Sequence, residues 1–351
     1  MYCDTAIGGA EIRGLGVNLT RKLTYSPALD GLRAVCILFT VFNHINGTPN
    51  FINGSVGVDI FFALSGFLIT MIIADNTLED LVPYLIRRVF RILPVYDLAL
   101  IVTVVLALVS ARLHLGDARS DQLRGMLLPS IFFSRELASA PTLFKPAWTV
   151  GIEEKFYLVW PLVLLLFCRF DLRIAVAIGI VLVFLYFNNP FFIRGYGGIA
   201  FGAIAALVYR RTGFSINSYV AIALVAIAYW VTLQGDHLIW NLGISFSGAV
   251  LVCSLYARPS LIKTALGTKW LAHLGQLTYT IYMFHILVLF AVKIVLGRLH
   301  LDAWYVVFIL GYPCCVLFAE IIHQTFEKPL IAYGRGVAAR HRAKSEAKNS
   351  A

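Results

Sequence analysis

Long runs of apolar residues, separated by short polar clusters, dominate the chain from residue 29 to residue 323. Runs long enough to cross about 30 Å of hydrocarbon lie near 29–47, 55–74, 94–111, 147–167, 172–187, 191–208, 217–233, 238–256, 273–296 and 303–323. The pattern predicts an all-α polytopic membrane protein with about ten transmembrane helices. Residues 112–146 break it, because the apolar stretch "GMLLPSIFF" is too short to span and is expected to be re-entrant or interfacial. Within "GYGGIAFGAIAAL", Gly198 and Gly202 form a GxxxG pair, which predicts close helix packing. No internal repeat or soluble second domain emerges. The expected organisation is a polar segment over 1–27, one transmembrane domain over 28–332, and a basic, disordered tail over 333–351.

Composition agrees with that class. The 351 residues are 59% hydrophobic and 14% charged, with a mean hydropathy of +0.80, far from the balance of a soluble domain. Six cysteines are scattered, mostly within apolar runs and without a CxxC pair, so they read as small core residues rather than a disulfide framework or metal site. The net charge of +10 is informative through its distribution. With the N-terminus inside, twenty Lys and Arg fall in cytoplasmic segments and seven outside, which predicts that both termini are cytoplasmic. The first 27 residues lack a cleavable signal pattern, so the first span is expected to direct insertion itself. The basic tail then suits an anionic lipid surface better than nucleic acid.

Against this apolar background the ionisable residues stand out, since each costs about 2.5–3.5 kcal/mol to insert and usually lines a cavity or pairs. In "LDGLRAVCILFTVFNHINGT", Arg33 and His44 lie eleven residues apart. That puts them on one helix face, about 16 Å apart along the axis. Asp59 follows near the start of the second span, close enough through a short loop to orient His44 as a general base or to tie two helices together. In "YLIRRVFRILP", Arg87, Arg88 and Arg91 present neighbouring guanidinium groups, a grouping that suits phosphates but also marks cytoplasmic span ends. Glu153 and Glu154 open the fourth span, and at most one of them can face the bundle; Arg194 and His44 are candidate partners. Ser65 lies too far from Asp59, and on another face, to build a Ser–His–Asp triad, so it reads as a small packing residue. His285 and the neighbouring Tyr282 in "LTYTIYMFHILVL" complete the candidates.

Taken in order, "LDGLRAVCILFTVFNH", "VGVDIFFALSGFLIT", "RRVFRILP", "WTVGIEEKFYLVWP", "LGQLTYTIYMFHILV" and "FEKPL" make the chain resemble the acyltransferase-3 family of integral-membrane O-acyltransferases over residues 26–332. The resemblance implies transfer of an acyl group, most commonly acetyl, from acyl-CoA to a surface or secreted glycan at the bacterial inner membrane. Acetyl-CoA would be a co-substrate, with no tightly bound cofactor and no metal. By position, Arg33 and His44 match the family's Arg-x10-His signature, with His44 the implied base, and Arg88 and Arg91 match its Arg-x-x-Arg motif, implied to hold the donor's phosphates. Glu153 matches the Glu-Glu-Gln-Phe-Tyr stretch, in which Lys155 here replaces the glutamine. The chain runs about twenty residues past its last match, so the form without a fused esterase-like domain is expected. A glycan or lipid-linked oligosaccharide is the implied acceptor. From a different class, a proton-coupled carrier using His44, Asp59 and Glu153 as a relay would carry similar residues, but neither inverted repeats nor paired broken helices are visible.

Overall fold

The structure, a computed structural model, describes residues 24–49, 53–74, 76–112, 120–138, 142–167, 170–187, 189–235 and 238–349. Its helices are α1 (Pro27–Phe42), α2 (Val56–Ile73), α3 (Leu78–Arg112), α4 (Ser120–Ile131), α5 (Ala147–Leu166), α6 (Phe170–Tyr186) and α7 (Pro190–Phe192). They continue with α8 (Gly198–Thr212), α9 (Ser218–Thr232), α10 (Leu238–Ala257), α11 (Leu261–Leu266), α12 (Lys269–Arg298), α13 (Trp304–Ile322) and α14 (Lys328–Asn349). No strand occurs among the described residues.

Each apolar run of the sequence is carried by a helix. By length and composition, six helices are suited to crossing a bilayer: Val56–Ile73, Leu78–Arg112, Pro190–Thr212, Trp240–Ala257, Lys269–Arg298 and the continuous Trp304–Ser345. The multi-pass character stands on these six. Among the rest, α1 has only 16 residues, α9 is apolar but short, and α5 carries the successive charges Glu153, Glu154 and Lys155.

Helices α1 and α2 form the centre, packed by α8, α10 and α12. Two contacts show how closely the backbones approach. A Cβ at Gly202 on α8 would lie 1.9 Å from the Ala63 carbonyl oxygen on α2, and one at Gly275 on α12 would lie 2.0 Å from the Asp30 carbonyl oxygen on α1. Only glycine fits at such separations, and the Gly198–Gly202 pair packs as its spacing implies. The cysteines Cys36, Cys253 and Cys315 are buried and free, as core residues.

Three local features differ from the sequence reading. Helix α1 ends at Phe42, so His44 sits in the turn just beyond it rather than inside the helix. Residues 120–137 form α4 and a short 3-10 turn (Arg135–Leu137) lying against α3 and α5. The basic segment expected as a disordered tail is the helix α14 as far as Asn349, laid along α3. Its small and aromatic face supplies the reason: Gly334 admits the Phe90 side chain, Tyr333 meets the Phe90 ring edge-on at 5.4 Å, and Ala338 is buried. Where α14 begins, buried Glu327 accepts hydrogen bonds from Thr280 Oγ1 at 2.7 Å and from His323 Nδ1 at 2.9 Å, which pins the junction to α12. Residues 1–23, which hold most of the polar N-terminal segment, lie outside the described residues.

Candidate active site

Helix α1 carries Arg33 near its middle, and His44 follows its C-terminal end; three cavities lie along and beyond them. At the first end an arginine vestibule is lined by Arg33, Arg88, Arg91, Gln276, Lys328 and Arg335, with Glu327 and Asp30. A middle chamber shares Arg33, Arg88, Arg91 and Gln276 with it, and adds Ser65, Thr149, Glu153, Tyr157, Tyr279 and Tyr282. A histidine chamber shares Val58 and Tyr282 with the middle one and reaches His44 and His285. The shared walls set the three cavities side by side from the arginines to the histidines.

The arginines are held by different means. Arg33 pairs with Asp30 at 2.5 Å, and Asp30 also accepts from the Tyr25 hydroxyl at 2.9 Å, so this guanidinium is fixed at the vestibule wall. Arg88 lies over the Tyr157 ring at 4.5 Å and the Tyr84 ring at 5.7 Å, cation–π contacts that orient it without neutralising it. Arg91 is exposed into the vestibule. Arg87, on another face of α3, lines none of the three cavities and is not part of this cluster.

In the middle chamber Ser65 Oγ donates to Glu153 Oε1 at 2.6 Å. Ser65 is therefore a hydrogen-bond partner across α2 and α5 rather than a packing residue alone, and Glu153 is satisfied by it instead of by Arg194 or His44. Glu154 points away from the chambers, as the 100° step from Glu153 requires. Lys155, the position that departs from the family stretch, is ion-paired with buried Glu136 and also donates to the carbonyl of Phe133 and to that of Gly151 at 3.3 Å. It ties the Arg135–Leu137 turn to α5.

At the far end the two histidines meet. His285 Nε2 lies 3.3 Å from His44 Nδ1, and the rings cross edge to face with centroids 4.8 Å apart. Their partners assign the tautomers. His285 Nδ1 is 2.8 Å from the Tyr282 carbonyl oxygen, which can only accept, so Nδ1 carries the proton and Nε2 presents a lone pair. His44 Nδ1 lies 2.9 Å from the Thr40 carbonyl oxygen and faces that lone pair, so it too carries its proton. The lone pair of His44 is left on Nε2, the arrangement a general base requires. Tyr282, between the chambers, is held through its hydroxyl by Thr149 Oγ1 at 2.8 Å.

Asp59 does not orient His44. It is fully buried and pairs with Arg194, whose Nε lies 2.7 Å from Oδ1 while Nη2 donates to the Ser55 carbonyl at 3.0 Å. The reason is reach: Asp59 is on the flank of α2 that faces Arg194, in the π turn Ile193–Gly197 between α7 and α8, while His44 turns towards α12. The sequence pointed to the carboxylate because it is near His44 along the chain. The residue that takes its place, His285, is 241 positions away, and no local spacing links the two.

Comparison with known proteins matches residues 26–320 to the model of an acyltransferase domain. The Bacillus subtilis (strain 168) protein YrhL, provisionally named a peptidoglycan O-acetyltransferase, is 36% identical over 157 residues, 41% of this chain and 24% of its own length. The peptidoglycan O-acetyltransferase OatA of Listeria monocytogenes is 32% identical over 173 residues, 44% of this chain and 28% of its own length. The matched region thus covers about a quarter of each relative. No solved structure matches. With the domain model covering most of the chain, this protein belongs to the acyltransferase-3 family.

Proposed function

We propose that the protein is an integral-membrane O-acetyltransferase of the bacterial cytoplasmic membrane, with ten spans and both ends in the cytoplasm. It would move an acetyl group from cytoplasmic acetyl-CoA to a hydroxyl of a glycan on the opposite side. The observation that carries this reading is the row of three adjoining cavities, with cations at one end and a histidine bearing a free lone pair at the other.

Arg88 and Arg91, with Arg33 beside them, suit the donor's phosphates, because guanidinium groups hold them bidentately. The pantetheine arm is long and slender, and about 14 Å of helix separates Arg33 from Phe42, with His44 in the turn just beyond. Glu153 lines the way and is an acceptor for the amide N–H groups of that arm. At the far end His44 Nε2 takes the proton of a glycan hydroxyl as its oxygen attacks the thioester carbonyl carbon. The C–S bond then breaks, and the proton passes from His44 to the departing sulfur, leaving CoA as its thiol and the glycan as its ester. His285 Nε2 accepts from His44 Nδ1–H throughout, steadying the imidazolium while it exists. Asp59 and Arg194 act on the wall of the chamber rather than on the proton.

The relatives' names make peptidoglycan the first acceptor to test. Glycans are isolated from cells in which the gene is deleted, restored, or restored as His44→Ala. The mass increment of one acetyl group, present only with the intact gene, is the expected result. An increment that survives His44→Ala, with the variant inserted and expressed, rejects His44 as the base.

A further inference from the structure

Helix α14 brings a second set of cations to the arginine vestibule. Lys328, Ile331, Ala332 and Arg335 all line it. Offsets of three, four and seven residues put them on one helix face, with the two cations about 10 Å apart along the axis. A neighbouring face of α14 packs on α3. There Gly334 admits the Phe90 side chain, and a Cβ at Gly334 would lie 2.4 Å from Phe90 Cβ. Arg335 and Arg91 each follow that contact by one residue, so one guanidinium from each helix lines the same cavity. Lys328 and Arg335 lie beyond residues 26–320, the region matched by the domain model, and the transfer chemistry leaves both without a task.

The acids of the vestibule do not cancel this charge. Asp30 is taken up by Arg33 and Tyr25, and Glu327 Oε2 accepts from Thr280 and His323. Lys328 donates to the neutral Gln324 Oε1 at 3.3 Å. Neither Lys328 nor Arg335 forms an ion pair among the described residues. Arg88, Arg91, Lys328 and Arg335 thus stand against the single charge of Glu327. Their places divide them, because Arg88 and Arg91 line both the middle chamber and the vestibule, whereas Lys328 and Arg335 line the vestibule alone. A donor whose thioester is at the histidines presents the diphosphate at the end of its pantetheine arm to Arg88 and Arg91. Its adenosine and ribose 3′-phosphate then fall further out, beside α14. We infer that α14 is the wall of the donor site that reads this nucleotide: Arg335 and Lys328 hold the 3′-phosphate, and Ile331 and Ala332 between them seat the adenine face. The enzyme thereby selects CoA thioesters over pantetheine thioesters that lack the 3′-phosphate. The inference rests on the proposed acetyl-CoA donor and names the part of it that is selected.

The test is calorimetric titration of the full-length protein in lipid nanodiscs with acetyl-CoA and with 3′-dephospho-acetyl-CoA, which differ only in that phosphate. Acetyl-CoA is expected to bind about tenfold more tightly, the difference of one charge-assisted contact. The double variant Lys328→Gln with Arg335→Gln should bring the ratio towards one by weakening acetyl-CoA alone. Both side chains are exposed, so α14 keeps its packing on α3. Arg88→Ala should weaken both ligands by one factor and leave the ratio in place, because the diphosphate is common to them. Equal affinities in the unaltered protein, or a ratio that survives the double variant, overturn the inference and leave the donor reading standing. If neither ligand binds the unaltered protein, the donor reading falls and the inference with it.

Discussion

The pairing of Asp59 with Arg194 separates a structural carboxylate from a catalytic one, and it can be measured. Asp59 is completely buried and the Arg194 side chain is 17% exposed, with Nε 2.7 Å from Oδ1. Asp59→Ala strands the guanidinium in the protein, and breaking a buried pair from one side costs about 3–5 kcal/mol. Because Arg194 also opens onto the histidine chamber, water softens that loss, and the lower end, about 3 kcal/mol, is the expected value. In a chain of this size that corresponds to a fall in Tm of about 5 °C. The double variant Asp59→Leu with Arg194→Met removes both charges and should recover most of the loss, since an apolar pair of similar volume replaces a buried ion pair at little cost. The assay is thermal unfolding in detergent for the protein, both single variants and the double variant, alongside acetyl transfer at saturating donor. A single variant that unfolds within about 1 °C of the unaltered protein, or a double variant no more stable than Asp59→Ala, refutes the reasoning. If Asp59→Asn lowered kcat steeply at unchanged Tm, the carboxylate would be orienting the base after all.

Two further predictions concern the ends of the path. Arg88→Ala should weaken acetyl-CoA binding about tenfold, by loss of a charge-assisted phosphate contact, while Arg87→Ala, outside the cavities, should leave it within about twofold; calorimetric titration with acetyl-CoA reads both, and equal losses would remove Arg88 from the donor site. His285→Ala removes one of the two acceptors facing His44 Nδ1–H, the Thr40 carbonyl at 2.9 Å remaining, and should lower kcat about tenfold with the donor KM unchanged, whereas a rise in KM alone would make His285 a wall of the chamber and not a positioning residue for His44.

The helices were legible because apolar periodicity is a local signal: every long run became a helix, and the Gly198–Gly202 spacing marked a contact that no larger residue fits. Arg33, Arg88 and Arg91 converge on one vestibule, since the short spacing of a motif within one helix fixes which face its members share. Pairings between distant helices were not legible. Asp59 is near His44 in the chain but meets Arg194, 135 residues away, and His44 meets His285. Ser65 looked like a packing residue until α5 brought Glu153 to it. Lys155 looked like a departure from a motif, and its purpose becomes visible only with Glu136 beside it. The tail misled for the opposite reason: its composition is basic, while Tyr333, Gly334 and Ala338 find α3, a surface that its own composition does not reveal.

The central claim is that donor and acceptor meet from opposite sides of the membrane through one path. The most direct test places the protein in sealed vesicles, with molecules of a single orientation selected by the accessibility of the C-terminal helix. Labelled acetyl-CoA is supplied only on the side of that helix, and the acceptor glycan only on the other. The account predicts labelled glycan on the far side, lost on Arg88→Ala at limiting donor and on His44→Ala at any donor concentration. Label that appears only when donor and acceptor share a side would contradict it.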